Sequence, residues 1–296
     1  EFSPPGLNAD EIKEVNQTLE NIGAVIPKIS NRALQKEAVI FYASFGSIFN
    51  LPECVNHAHR LALQLVEGDT PEHQVEQIEI FYKIACAFLK IGEQPEAVLS
   101  LIHAYIPINQ LQLNELVFKT YYYEGTLHKL RMIGRTLHEI HAHEKAREVV
   151  NVAYRFTARF VKNEREKGWS LWGLSEILRL LHEINEQEHA KRLTERLYKL
   201  IWQAIEQHKL SDIFKDDRLA DKLPEIIGSF EGIGGRQKIQ NLLDLIKAQI
   251  QDKRLSSSEA RLIILCLITP YIRDYNTAIQ VCRSFIWHGN QGNVLY

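Results

Sequence analysis

Apolar residues recur every three to four positions through most of the chain, the spacing of amphipathic helices. Ile78, Phe81, Ile84, Ala85 and Phe88 form one such stripe, and Ile12, Val15, Leu19 and Ile22 form another near the start. Alternating strand-like patterns are rare. The breaks between stripes carry helix-boundary chemistry. Asn8 or Asp10 can cap a first helix that ends near Pro27. Gly68-Asp69-Thr70-Pro71 stops one helix and starts the next, with Pro71 just inside it. Glu164 to Gly168 reads as a charged loop, Lys209 to Asp221 as a polar irregular stretch, and Ser256-Ser257-Ser258 as the start of a further helix. These patterns predict an all-α fold.

One pattern repeats. Ile84-Ala85, Phe88, Gly92, Ala97 and Ala104 describe a helix, a turn and a second helix folded back on the first. Gly134, Leu137, Ala146 and Ala153 follow the same spacing, as do Leu178, Leu181, Ala190 and Leu197. Further copies are read at Gly46, Phe49, Ala58 and Leu65; at Ile227, Phe230, Gly234, Ile239 and Ile246; and at Cys266, Thr269, Ala278 and Phe285. The small residue lets the second helix approach closely, the aromatic fills the space beside it, and glycine suits a turn at positive φ. A single hairpin cannot bury its apolar face, so neighbours must stack.

This spacing resembles the tetratricopeptide-repeat family, or relatives with longer helices, from about Ala38 to His288. The anchors Ala58, Ala97, Ala146, Ala190, Ile239 and Ala278 lie 39 to 49 residues apart, against ~34 in that family. Its prolines are mostly missing, with Pro107 near one expected place. The resemblance implies a right-handed α-solenoid of about six antiparallel helix pairs that binds proteins or peptides on a concave face. The helix ahead of the first pair would cap the stack. The expected organisation is a disordered segment 1–8, one domain over 9–288 and a frayed tail 289–296.

Composition narrows the picture. The 296 residues are 45% hydrophobic and 24% charged, with only 15 Gly and 9 Pro, enough apolar material for a substantial core. A net charge of −2 does not suit a non-specific nucleic-acid binder, so nucleic acid is not an expected partner. The longest apolar run, Leu262 to Ile268, is far below the ~20 residues that span a bilayer, so no membrane partner is expected. No secretory signal is visible. Cys54, Cys86, Cys266 and Cys282 form no Cys-x-x-Cys pair and read as reduced, packed thiols, the last two within reach of a disulfide if their helices pair. A cytoplasmic setting follows. The start without Met fits a piece of a longer protein whose other part carries any catalytic activity.

In tetratricopeptide-like hairpins the first helix lines the concave face. On that helix His128, Arg131, Arg135 and His138 share one side, as do Trp172, Ser175, Arg179 and His182, with Glu79, Tyr82, Cys86 and Leu89 in the preceding copy. Arginine forks bind carboxylates and tryptophan offers a flat contact. Tyr82, His128, Arg131, Arg135, His138, Trp172, Arg179 and His182 are therefore the candidate groove for an acidic peptide or helix. The competing reading is a solvated face whose arginines pair with Glu139 and Glu183.

Other motifs weigh less. His138, His141 and His143 cluster, but His138-Glu139-Ile140-His141 is not the H-E-x-x-H of a zinc enzyme, and no metal is assigned. Asp216, Asp217 and Asp221 loosely resemble the magnesium-binding aspartates of isoprenoid synthases, without a second metal motif downstream. Gly232-Ile233-Gly234-Gly235 has no strand before it and no Lys-Ser/Thr after it, so it reads as a turn rather than a phosphate loop. No catalytic residue and no cofactor is expected. An isoprenoid-synthase-like enzyme, a peptide-sensing regulator and a nucleic-acid-binding helical repeat are the alternatives to a protein-interaction scaffold.

Overall fold

A computed structural model of the chain describes residues 8–65, 71–109, 120–160, 164–206, 222–232 and 235–251. The described residues are helical, with no strand among them. The Cys266 copy of the repeat, Asp216, Asp217 and Asp221, Cys282, the stretch 209–221, Ser256 to Ser258 and the tail lie outside the described residues. The chain divides into two compact units, 1–156 and 157–296. The dividing line falls inside one helix, and each unit is described by itself.

In the first unit, α1 (Ala9–Val25) opens on the expected cap. The Asn8 side chain accepts from the backbone of Asp10 and Glu11, and the Glu11 carboxylate accepts from the Asn8 N–H. Leu19 is the buried residue of its stripe, and Pro27 falls in the short 3-10 helix that ends it. Three hairpins follow: α2 (Arg32–Ile48) with α3 (Pro52–Leu65), α4 (Pro71–Lys90) with α5 (Gln94–Tyr105), and α6 (Thr120–Glu139) with α7 (His143–Phe160). The second unit holds a fourth hairpin, α8 (Glu164–Glu183) with α9 (Gln187–Glu206). After it come the short α10 (Leu223–Gly228), a 3-10 turn and α11 (Gly235–Gln251). The charged stretch at Glu164 is the first turn of α8, not a loop. Its Glu, Arg and Lys residues are good helix formers.

All four hairpins turn on the same backbone device. Asn50, Gly92, His141 and Asn185 take left-handed φ values of 54°, 81°, 62° and 60°. The N–H after each bonds to the carbonyl five residues back: Leu51 to Gly46, Glu93 to Phe88, Ala142 to Leu137, Glu186 to Leu181. That bond closes a Schellman cap, which satisfies the last carbonyls of the first helix and aims the chain back along it. Five residues after each turn stand Val55, Ala97, Ala146 and Ala190, all fully buried. These small or branched residues bring the second helix close to the first.

The turn corrects the first copy. Its register is Ala43, Gly46, Asn50, Val55 and Ala62, three residues from the Gly46, Phe49, Ala58 and Leu65 assignment. Gly46 is a packing glycine, not a small-residue anchor. A β-carbon there would lie 2.8 Å from Cys54 Cβ and 3.2 Å from Val55 Cγ2. Of the later copy, Phe230 and Ile239 are buried in the second unit, while Gly234 and the side chains of Ile227 and Ile246 lie outside what is described.

In the first unit each second helix packs on the next first helix, α3 on α4 and α5 on α6, and the first helices also pack on one another. α2 packs on α4 and α4 on α6. The second helices meet through the ring nitrogens of His59 and His103, 3.1 Å apart, and through the Tyr105 hydroxyl, which donates to Glu148 at 2.7 Å. His59 is 8% exposed, with Phe81 and Phe88 set edge-on to its ring. Burial and the neighbouring His103 push its pKa from 6.5 down to about 4, and burial lowers His103 as well. Between those two pH values the unfolded chain binds more protons than the fold at this residue. Stability present at neutral pH is therefore lost as pH falls from 6.5 towards 4. For His59 the full loss is about 3 kcal/mol. Urea unfolding between pH 7 and pH 4 should show this decline, and His59→Phe should flatten it. An equal decline in that variant would place its origin elsewhere.

Candidate functional site

The left-handed turn gives every first helix a common ruler. Thirteen, ten, six and three residues before it stand Glu79, Tyr82, Cys86 and Leu89 on α4, then His128, Arg131, Arg135 and His138 on α6. On α8 they are Trp172, Ser175, Arg179 and His182. The predicted rows are in register. The first two belong to the first unit and the third to the second unit.

In the first unit the row stays accessible. Tyr82, Cys86 and Leu89 are half-buried, His128 is exposed, and Arg131 and His138 are half-buried. Arg135 keeps 61% of its side chain exposed, and its Nε donates to Glu139 at 2.8 Å on the same helix. That pair is the one the solvated-face reading names. Exposed pairs of this kind contribute only about 0.3–0.5 kcal/mol, so Glu139 is readily exchanged for another carboxylate. α4 and α6 are joined along the row. The Tyr82 hydroxyl lies beside Thr136 of α6 and Cys86 of its own helix, and burial pushes its pKa up. Glu79 links three helices: it accepts from Lys36 of α2 at 3.1 Å and from Lys129 of α6 at 3.3 Å. Burial alone would raise the Glu79 carboxyl, but the Lys36 hydrogen bond and the Lys129 charge hold it below the usual range.

In the second unit Trp172 and Ser175 of the same row are buried, while Arg179 and His182 are half-buried. Trp172 is 2% exposed and is not a surface contact. Its indole N–H donates to the Glu225 carboxylate at 3.2 Å, and the Lys222 ammonium lies 5.7 Å from its ring centroid. Arg179 Nη1 donates to Glu176 at 2.6 Å and lies 3.6 Å from the Glu225 carboxylate, while Nη2 donates to the Glu225 carbonyl at 2.7 Å. Glu176 is itself buried, with 4% of its side chain exposed. His182 is half-buried and its Nε2 has no hydrogen-bond partner; burial lowers its pKa. The rows of α6 and α8 thus differ in what they face. On α6 Arg135 is exposed and paired with Glu139 while Arg131 is half-buried, and on α8 Arg179 is engaged by α10.

Two features lay outside the predicted groove. Glu225 engages Trp172 from 53 residues away, a distance that helical periodicity does not register. His143 meets His138 across the third turn; the sequence groups His138, His141 and His143, and the contact is between the first and last of them. Cys54 and Cys86 are free thiols, Cys54 buried. No helix is long and apolar enough to cross a membrane among the described residues. Comparison with known proteins finds no matching family model, no matching curated protein and no matching solved structure.

Proposed function

We propose that this chain is a protein-interaction scaffold, and that the row on α4 and α6 takes an acidic peptide or helix. In this reading the hairpins continue as a tetratricopeptide-like right-handed solenoid with the first-helix rows on its concave face. No step of catalysis is assigned to it.

One observation carries the reading. At the position six residues before the turn, two consecutive hairpins place an arginine, Arg135 and Arg179. Arg179 already holds a glutamate carboxylate and a helix carbonyl from a separate segment. That contact supports the reading that an arginine at this position takes a carboxylate and a carbonyl from a helix laid against the row. Arg135 presents the same fork, exposed, with Arg131 one turn before it and His138 one turn after. Tyr82 flanks them from α4 and offers an aromatic edge. Charge-assisted arginine–carboxylate bonds supply orientation, and the half-buried Tyr82 and Leu89 supply apolar contact.

The test is fluorescence anisotropy with labelled acidic, neutral and basic peptides. The chain should select the acidic ones, and Arg131→Glu/Arg135→Glu should weaken them by about ten-fold or more. Circular dichroism should show that variant folded. Equal binding of acidic and basic peptides would overturn the proposal.

A further inference from the structure

The third hairpin turn concentrates imidazoles. His138 lies in the last turn of α6, His141 takes the left-handed position and His143 opens α7. The Nδ1 atoms of His138 and His143 are 3.0 Å apart, with ring centroids at 4.7 Å. The His141 ring faces His143 at 5.9 Å. His141 and His143 are exposed and His138 is half-buried.

The backbone that carries them is fixed from several directions. The His141 N–H donates to the His138 carbonyl, Ala142 to Leu137, and Ala146 to Ala142. The Gln94 side-chain amide, from the start of α5, donates to the Ile140 carbonyl. Two residue positions held this way keep their side chains close without the ordering cost of two mobile loops. The equivalent left-handed position is glycine in the second hairpin and asparagine in the first and fourth. A histidine there accepts roughly 1–2 kcal/mol of backbone strain relative to glycine.

We propose that this turn binds a borderline divalent transition cation, such as Zn²⁺, Ni²⁺ or Cu²⁺, through His138 Nδ1 and His143 Nδ1. Zinc–imidazole bonds are about 2.0–2.1 Å, so two nitrogens on one ion at right or tetrahedral angles lie roughly 2.9–3.4 Å apart. The observed 3.0 Å separation falls in that span. Without metal, one of the two nitrogens must carry the proton the other accepts. Binding requires both rings in the tautomer that carries its proton on Nε2, so the Nδ1 proton of the donor ring moves to that ring's own Nε2 through water, and each ring turns by roughly 35–45° to aim its Nδ1 lone pair at the cation. Among the described residues no three His, Cys, Asp or Glu side chains converge on one point. The two imidazoles are therefore the protein donors, and water fills the remaining positions. Imidazole selects these cations over Mg²⁺ and Ca²⁺, which require oxygen ligands.

The His59–His103 pair shows what distinguishes the turn. Its nitrogens are equally close, 3.1 Å, but Phe81 and Phe88 enclose His59. A dication placed there would lose its hydration without carboxylate compensation. The turn pair opens to water. The proposal does not depend on the peptide reading, because it needs no partner.

Isothermal titration of the full chain with Zn²⁺, Ni²⁺ and Cu²⁺, with copper absorption as a second readout, tests it. His138→Gln and His143→Gln should each weaken binding by about ten-fold or more, while His189→Gln, at an exposed histidine of α9, leaves it unchanged. Mg²⁺ should not compete. Wild-type binding by a folded His138→Gln/His143→Gln variant would overturn the assignment. So would a wild-type chain that binds none of the three cations.

Discussion

Phe88→Ala should lower the stability of the first unit by about 3–5 kcal/mol, the range for emptying a packed aromatic site. Phe88 is fully buried and touches the His59 ring at 6.0 Å between centroids. It stands four residues before the Gly92 turn, and its carbonyl accepts from Glu93 in the Schellman cap. The side chain therefore fills the space between hairpins at the point where the chain reverses. A cavity there cannot close by shifting α5, because Ala97 already brings that helix to contact. Phe88→Leu, which keeps most of the volume, should cost about half as much or less. Urea unfolding followed by far-UV circular dichroism checks the order. A loss under about 1 kcal/mol for the alanine variant would show that the site is not packed as described.

Arg179→Met should destabilise the second unit by about 3 kcal/mol. The substitution keeps much of the aliphatic stem but removes the ion pair from Glu176, whose side chain is 4% exposed, and the bond to the Glu225 carbonyl. The cost comes from the carboxylate left without that counter-charge more than from the lost attraction. Arg179→Met/Glu176→Gln should therefore recover part of the loss. Every tryptophan of the chain lies at or beyond position 169, so indole fluorescence reports on the segment that carries Arg179. An arginine on a merely solvated face would give a change within about 0.5 kcal/mol.

The success and failure of the sequence reading have the same source. Spacing alone places Ala85, Phe88, Ala97 and Ala104, all buried, because a helix face is set by local periodicity. It also puts the three rows in register, since each is counted along one helix from one turn. Glycine misled the first copy. Gly46 and Gly92 are the same letter, yet Gly92 supplies positive φ and Gly46 supplies room for Cys54 and Val55. Asn50, His141 and Asn185 make the same turn without glycine, because a short polar side chain or an imidazole tolerates the left-handed region. Trp172 is buried rather than exposed, and Arg179 is half-buried, because α10 lies against both. That contact is long-range, although Trp172 and Ser175 make this row less charged than its neighbour, a hint of burial.

The α8 row also gives the peptide reading its internal control. Arg179 is committed to Glu225, so Glu225→Gln should alter the second unit's stability with little effect on peptide binding by α4 and α6.

The most direct test of the central claim is a charge-swap titration by fluorescence anisotropy. Arg135→Glu is measured against a bound acidic peptide and against versions with each acidic residue changed in turn to arginine. Arg135→Glu should weaken binding of the parent peptide, and one swapped peptide should recover affinity for that variant while losing it for the wild type. Undiminished binding of the parent peptide by folded Arg135→Glu, with no swapped position favouring the variant, would contradict it.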